Sequence, residues 1–126
     1  MNSQNTNKRQ EGDEGEELAV KLLTSKGYKI IERNYRFGNK GEIDIIAKDT
    51  ETGYTVFIEV KMKTNLEFGD PEYSVTKKKM GQVRRMATAY MFERDLGELE
   101  CRFDVIAILK IPKQDIKIEH YINAFE

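Results

Sequence analysis

The stretch GEIDIIAKDTETGYTVFIEVKMK, residues 41–63, decides the fold. Its middle, Asp49-Thr50-Glu51-Thr52-Gly53, has the Asp, Thr and Gly chemistry of a hairpin loop. Before it runs the β-rich segment Glu42–Ala47. After it, Tyr54, Val56, Ile58, Val60 and Met62 alternate with Thr55, Phe57, Glu59, Lys61 and Lys63, the period of a strand. A loop centred near residues 51 and 52 sets a symmetric register that places Asp44 opposite Glu59. Directly opposed residues have Cβ atoms roughly 4.5–5.5 Å apart. Two carboxylates at that spacing repel unless positive charge lies between them. Lys61 supplies one compensating charge on the face of Glu59, and a divalent cation could supply another. Mg²⁺ or Mn²⁺ suits such hard oxygen donors. A solvated cross-strand charge pair is the plainer reading of Glu-x-Lys alone. Phe57 and Ile46 share the carboxylate face, however, so that face is expected to be partly covered. Ile43 and Ile45 are expected to pack together on the other side.

Upstream, a helix is expected from Asp13 to Lys26, with acids in its first turn and Gly27 as its stop. Leu18, Ala19, Leu22 and Leu23 form its apolar stripe. Glu16 aligns with Ala19 and Leu23, so it borders the buried side and is the acid best placed to reach Asp44 and Glu59. Residues 1–11 are polar and aperiodic and are expected to be a disordered tail, leaving one domain over 12–126. Tyr28–Arg36 reads as a strand ending in a Gly-rich turn over 38–41.

Downstream, Phe68-Gly69-Asp70-Pro71 marks a loop or helix entry. A second helix is expected over 75–94, with Met80, Val83, Met86, Ala87, Tyr90 and Met91 at helical spacing. Strands follow over 102–110 and 116–122. The order α-β-β-β-α-β-β predicts an α/β fold, a mixed β-sheet flanked by helices, because the second helix provides the crossover that parallel pairing requires.

The chain has 126 residues, 21 Lys plus Arg, 22 Asp plus Glu, and a formal net charge of -1. That balance excludes a histone-like blanket of positive charge. The charges are nonetheless segregated. Residues 11–17 carry five acids and no base, residues 26–40 five bases and one acid, and residues 76–94 six bases and one acid. Lys78 and Arg85 lie opposite the apolar arc of the second helix. Lys79 lies inside the arc and could face a cleft. Arg33, Arg36 and Lys40 are candidates for nucleic-acid backbone contacts, with Lys78, Lys79 and Arg85. The single cysteine, Cys101, excludes a disulfide framework or a Cys-rich zinc site and reads as an inert small apolar residue. His120, the one histidine, alternates with isoleucines and reads as a packed edge-strand residue. Arg102 and Asp104 read as structural partners of their neighbours. With neither an apolar membrane span nor a signal segment, a cytoplasmic protein that does not engage membranes is expected.

Gly-Glu-Ile-Asp (41–44), Phe-Ile-Glu-Val-Lys (57–61), Phe-Gly-Asp-Pro (68–71), Arg-Phe-Asp-Val (102–105) and Asn-Ala-Phe (123–125) resemble the motifs of the YraN family. The likeness covers about residues 12–126. It implies the restriction-endonuclease-like fold, the PD-(D/E)xK motif and metal-dependent hydrolysis of DNA, with branched or repair and recombination intermediates as substrates. It carries the motif acids to Asp44 and Glu59, the lysine to Lys61, the first-helix glutamate to Glu16 and the second-helix lysine to Lys79. Ile43 stands where the named motif has proline. On this reading Glu16, Asp44 and Glu59 bind Mg²⁺ or Mn²⁺ and Lys61 assists the attacking water. A homodimer is a further expectation from similar resolvases. The competing expectation is a nucleic-acid-binding or protein-interaction module that has the fold without turnover.

Overall fold

A computed structural model describes residues 3–39, 41–64, 76–97 and 99–124, with side chains from Gly12 onward. The elements are α1 (Ser3–Ser25), β1 (Lys29–Arg36), β2 (Glu42–Lys48), β3 (Thr55–Lys63), α2 (Lys77–Glu93), β4 (Cys101–Leu109) and β5 (Lys117–Tyr121). The order is the expected one. The helical backbone of α1 starts at Ser3, ahead of the helix start expected at Asp13. Gln4, Lys8, Arg9, Gln10 and Glu11 are good helix formers, and their helical backbone continues directly into the packed part of α1. Lys40 and the Phe-Gly-Asp-Pro segment lie outside the described residues.

The five strands form one sheet in the order β1-β2-β3-β4-β5. Pairing is antiparallel except for β3 with β4, which run parallel from Thr55↔Cys101 to Lys63↔Leu109. Alternation along β3 divides the core into two layers. Val56 and Ile58 pack with Ala19 and Leu23 of α1 and with Ile106 and Ile108 of β4. Phe57 points the other way, against Val83, Met86, Ala87 and Tyr90 of α2. The acids and bases of the sequence therefore emerge where apolar alternation stops, toward the C-terminal end of β3.

Local signals explain the element ends. Gly27 takes φ +88° after α1, and the Tyr28 N–H returns to the Leu23 carbonyl, closing the helix as a glycine stop does. Thr76 caps α2 by accepting a hydrogen bond from the Lys79 N–H at 3.1 Å. One packing expectation is corrected. Ile45 joins the α1 layer, but Ile43 joins the α2 layer. Asp44 falls between the Arg33↔Ile45 and Tyr35↔Ile43 pairs, across from Asn34 in the left-handed region (φ +54°), and simple alternation breaks there.

Away from that point, Arg102 is buried with its charge compensated. It donates to Asp49 at 2.9 Å, to Asp104 at 3.1 Å and to the Tyr28 hydroxyl at 2.5 Å. His120 Nε2 lies 2.7 Å from Asp104, and its Nδ1 lies 2.6 Å from the Lys26 ammonium. Lysine has only protons to give, so Nδ1 accepts and Nε2 carries the hydrogen donated to Asp104. The structural roles expected for Arg102, Asp104 and His120 are thus the ones they hold. Burial raises the Cys101 thiol pKa, in keeping with an inert cysteine.

Candidate active site

The β2–β3 pairing ends at Ile45↔Ile58, and one further step in that register would set Asp44 opposite Glu59, the position that the loop centre predicts. At that step Asp44 does not stay in the ladder passively. Its Oδ2 accepts the Val60 N–H at 2.8 Å, so a side chain satisfies backbone that the departing strand leaves unpaired. Glu59 is 5% exposed. Its Oε1 lies 3.6 Å from Lys61 Nζ and 3.3 Å from Lys79 Nζ. Its Oε2 is buried with no hydrogen-bond partner among the described residues. Burial, and next the charge of Glu59, push the Asp44 pKa up to about 7, against the Val60 hydrogen bond that pulls it down. An orphaned buried carboxylate oxygen beside a carboxyl that resists ionisation is a site short of positive charge.

Glu16 reaches this end of the sheet from α1 and is buried. Its Oε1 accepts from Arg33 Nε at 2.8 Å and Asn34 Nδ2 at 3.0 Å. Glu16 and Asp44 line one cavity of about 540 Å³, together with Asp13, Glu42, Asn34 and Arg36. Glu59 meets its lysines on the α2 side. Among the described residues, no three His, Cys, Asp or Glu side chains stand together as a formed metal cage. Asp44 thus shares the cavity with Glu16 and is coupled to Glu59, but the three expected acids do not stand together as one group, and Glu16 is held by Arg33 and Asn34.

The basic candidates differ in situation. Lys79 turns inward to Glu59, as its place inside the apolar arc requires. Lys78 and Arg85 are exposed on α2. Arg36 is 71% exposed at its side chain and pairs with Glu42 at 3.1 Å. Arg33 is engaged by Glu16 and by Glu17, the latter at 2.7 Å, so its charge is spent on α1.

Sequence reasoning gave Asn34, Gly41 and Gln82 no part in the site. The signal for Asn34 was available, since Asn is among the few side chains tolerated at positive φ. Gly41 has φ +129°, and a Cβ there would stand 2.3 Å from Gln82 Nε2. Gln82 of α2 thus lies directly over the entry to β2. Gly41→Ala is expected to lower stability by about 1–3 kcal/mol through backbone strain and displacement of Gln82, measured by urea unfolding.

Two helices on a five-stranded mixed sheet, in the order α-β-β-β-α-β-β, define an α/β protein with paired carboxylates and two lysines near the end of the β2–β3 pairing. The model of a family described as "Uncharacterised protein family UPF0102" matches residues 15–108. A UPF0102 protein of Trichlorobacter lovleyi is 43% identical over 115 residues, covering 91% of this chain and 89% of the relative. A UPF0102 protein of Clostridioides difficile (strain 630) is 43% identical over 119 residues, covering 94% and 99%. One of Chlorobium limicola is 45% identical over 119 residues, covering 90% of each. The chain belongs to the UPF0102 family, also called YraN. Among the described residues no helix is long and apolar enough to cross a membrane.

Proposed function

We propose that this protein is a divalent-metal-dependent endonuclease that hydrolyses DNA phosphodiester bonds, with branched or repair and recombination intermediates as its substrates. The observation that carries the reading is the Asp44–Glu59 pair: one carboxyl held protonated up to about pH 7, the other with a buried oxygen lacking a partner. Asp44 and Glu59, with Glu16 across the cavity, offer the hard oxygens that Mg²⁺ or Mn²⁺ prefers. When bound, the cation would polarise the phosphodiester and acidify an attacking water. Lys61 holds an ammonium beside Glu59, where it can orient that water or steady charge on the phosphorane. Lys79 brings a second ammonium to the same carboxylate and can exchange it for a phosphate oxygen. Lys78, Arg85 and Arg36 extend positive charge outward along the flanks for the DNA backbone.

A second reading, a DNA-binding module without turnover, draws on one observation. Both Glu59 and Glu16 already have basic partners, so the centre is partly neutralised by the chain itself. Incubation of linear, single-stranded and four-way DNA with Mg²⁺ or Mn²⁺ separates the two. Cleavage by the wild type, reduced about 10²-fold in Lys61→Ala, is the expected result. Binding without cutting in every condition, unchanged in Lys61→Ala, would contradict the enzyme and favour the module.

A further inference from the structure

Glu16 is held by two donors that meet on a single oxygen. Its Oε1 accepts from Arg33 Nε at 2.8 Å and from Asn34 Nδ2 at 3.0 Å. Its Oε2 has no hydrogen-bond partner among the described residues. The side chain keeps 10% of its surface exposed, and Glu16 borders the cavity of about 540 Å³ that Asp44 also lines. The last torsion of a glutamate is broad and twofold, so a carboxylate without partners would present either oxygen. Two donors on Oε1 end that freedom and leave Oε2 as the open one.

The donors bring different things. Arg33 brings charge, and shares it with Glu17 at 2.7 Å. Asn34 brings an uncharged amide, held on unusual backbone. Among the described residues, Asp95, Lys113 and Asn123 are the other non-glycine residues at positive φ, and all three lie between or after the regular elements. Asn34 takes φ +54° inside β1. Asn tolerates that region better than most side chains, but glycine would occupy it at no steric cost. The backbone alone therefore does not call for an amide. Its neighbours do, since Asn34 lines the same cavity as Glu16 and Asp44. A strained strand residue whose side chain fixes a carboxylate at a candidate site points to function.

We infer that Asn34 is a positioning residue for Glu16: its amide holds Oε1 so that Oε2 faces a hydrated divalent cation across the cavity from Asp44. This deepens the proposed function and rests on a divalent cation binding there. Glu16, Asp44 and Glu59 form no closed cage, and the cavity has room for several waters at about 30 Å³ each. Cations such as Mg²⁺ keep several waters and take one or two carboxylates directly, so an acceptor fixed across the cavity suits the water shell.

The test is a calorimetric titration of Mn²⁺ into the full chain as wild type, Asn34→Gly, Glu16→Gln and the double variant, with a melting temperature for each. Asn34→Gly keeps the left-handed backbone and removes the amide. It is expected to weaken Mn²⁺ binding about tenfold, as losing the partner of a ligand does, while melting within a few degrees of wild type. Glu16→Gln is expected to weaken binding to a similar extent. In that background Asn34→Gly should cost nothing further, because Asn34 acts through Glu16. Equal affinity of wild type and Asn34→Gly, unchanged binding in Glu16→Gln, or the same loss with and without Glu16 would overturn the inference and leave the metal-dependent reading standing. Weaker binding that comes only with a large fall in melting temperature would do the same. No Mn²⁺ binding by the wild type would overturn both.

Discussion

Asp44→Asn is expected to abolish metal-dependent cleavage and, in the same protein, to raise stability above pH 7. The two effects share one cause. Folding puts the Asp44 carboxyl beside Glu59 in a partly buried position, and its pKa rises to about 7 from the ordinary 3.8. Its protonated form is therefore favoured by the fold. The contribution is fully present below pH 3.8 and is lost as pH rises through about 7. Without divalent cations, the wild type should lose stability between those values. Asp44→Asn keeps an oxygen to accept the Val60 N–H and carries no charge, so its profile over the same window should be flatter. At pH 8 the gain is on the order of 2 kcal/mol, less than the whole displacement implies, because water enters through the cavity. Urea unfolding from pH 4 to 8 measures it. A variant no more stable than wild type at pH 8 would show that the pair is not strained in the fold. A site that destabilises its own protein until a ligand arrives is the usual trade between stability and function.

Arg102→Ala should have the largest cost to the fold. It leaves Asp104, fully buried at 0% exposure, and Asp49, at 7%, without the guanidinium that serves both. Burial alone would raise both carboxyl pKa values. Hydrogen bonds from Arg102 to both acids, from His120 and the Asn123 N–H to Asp104, and from the Glu51 N–H to Asp49 hold them below the ordinary value. Removing one partner of a buried ion pair costs about 3–5 kcal/mol. Against a typical total of ~5–15 kcal/mol, the melting temperature should fall by about 10 °C or more. The same acids give the wild type a second pH dependence of opposite sign. Their contribution is present above pH 3.8 and is lost as pH falls below it through their lowered values. Arg102→Ala should weaken that acid-side loss. Calorimetry of wild type and variant at pH 7 and pH 3 checks both expectations. Arg102→Lys should recover little, since an ammonium cannot reach Asp49, Asp104 and Tyr28 as the guanidinium fork does.

Much of the site was legible because a hairpin loop fixes its own register. Once Asp49–Gly53 is read as the loop, Asp44 must face Glu59, and alternation puts Lys61 on the same side. Helical spacing likewise gave Glu16 and Lys79 their inward directions. The chain was less legible where backbone conformation departs from regular alternation. Alternation breaks where Asp44 lies across from Asn34 in the left-handed region, and Ile43 joins the α2 layer, which no two-residue period can announce. Partner choice was also hidden. Arg33 reads from sequence as one more free cation in a basic segment, and only the packing of α1 on β1 shows that Glu16 and Glu17 take it. Gly41 looked like turn chemistry alone. Its second role, making room for Gln82, depends on a helix four strands-and-loops later in the chain's path through the sheet.

The measurement that bears most directly on the site is a calorimetric titration of Mn²⁺ into wild type and Asp44→Asn at pH 7.5. Binding to the wild type, and loss of that binding in the variant, are the expected results. No binding to the wild type, or equal binding to both proteins, would contradict a cation held between Asp44 and Glu59.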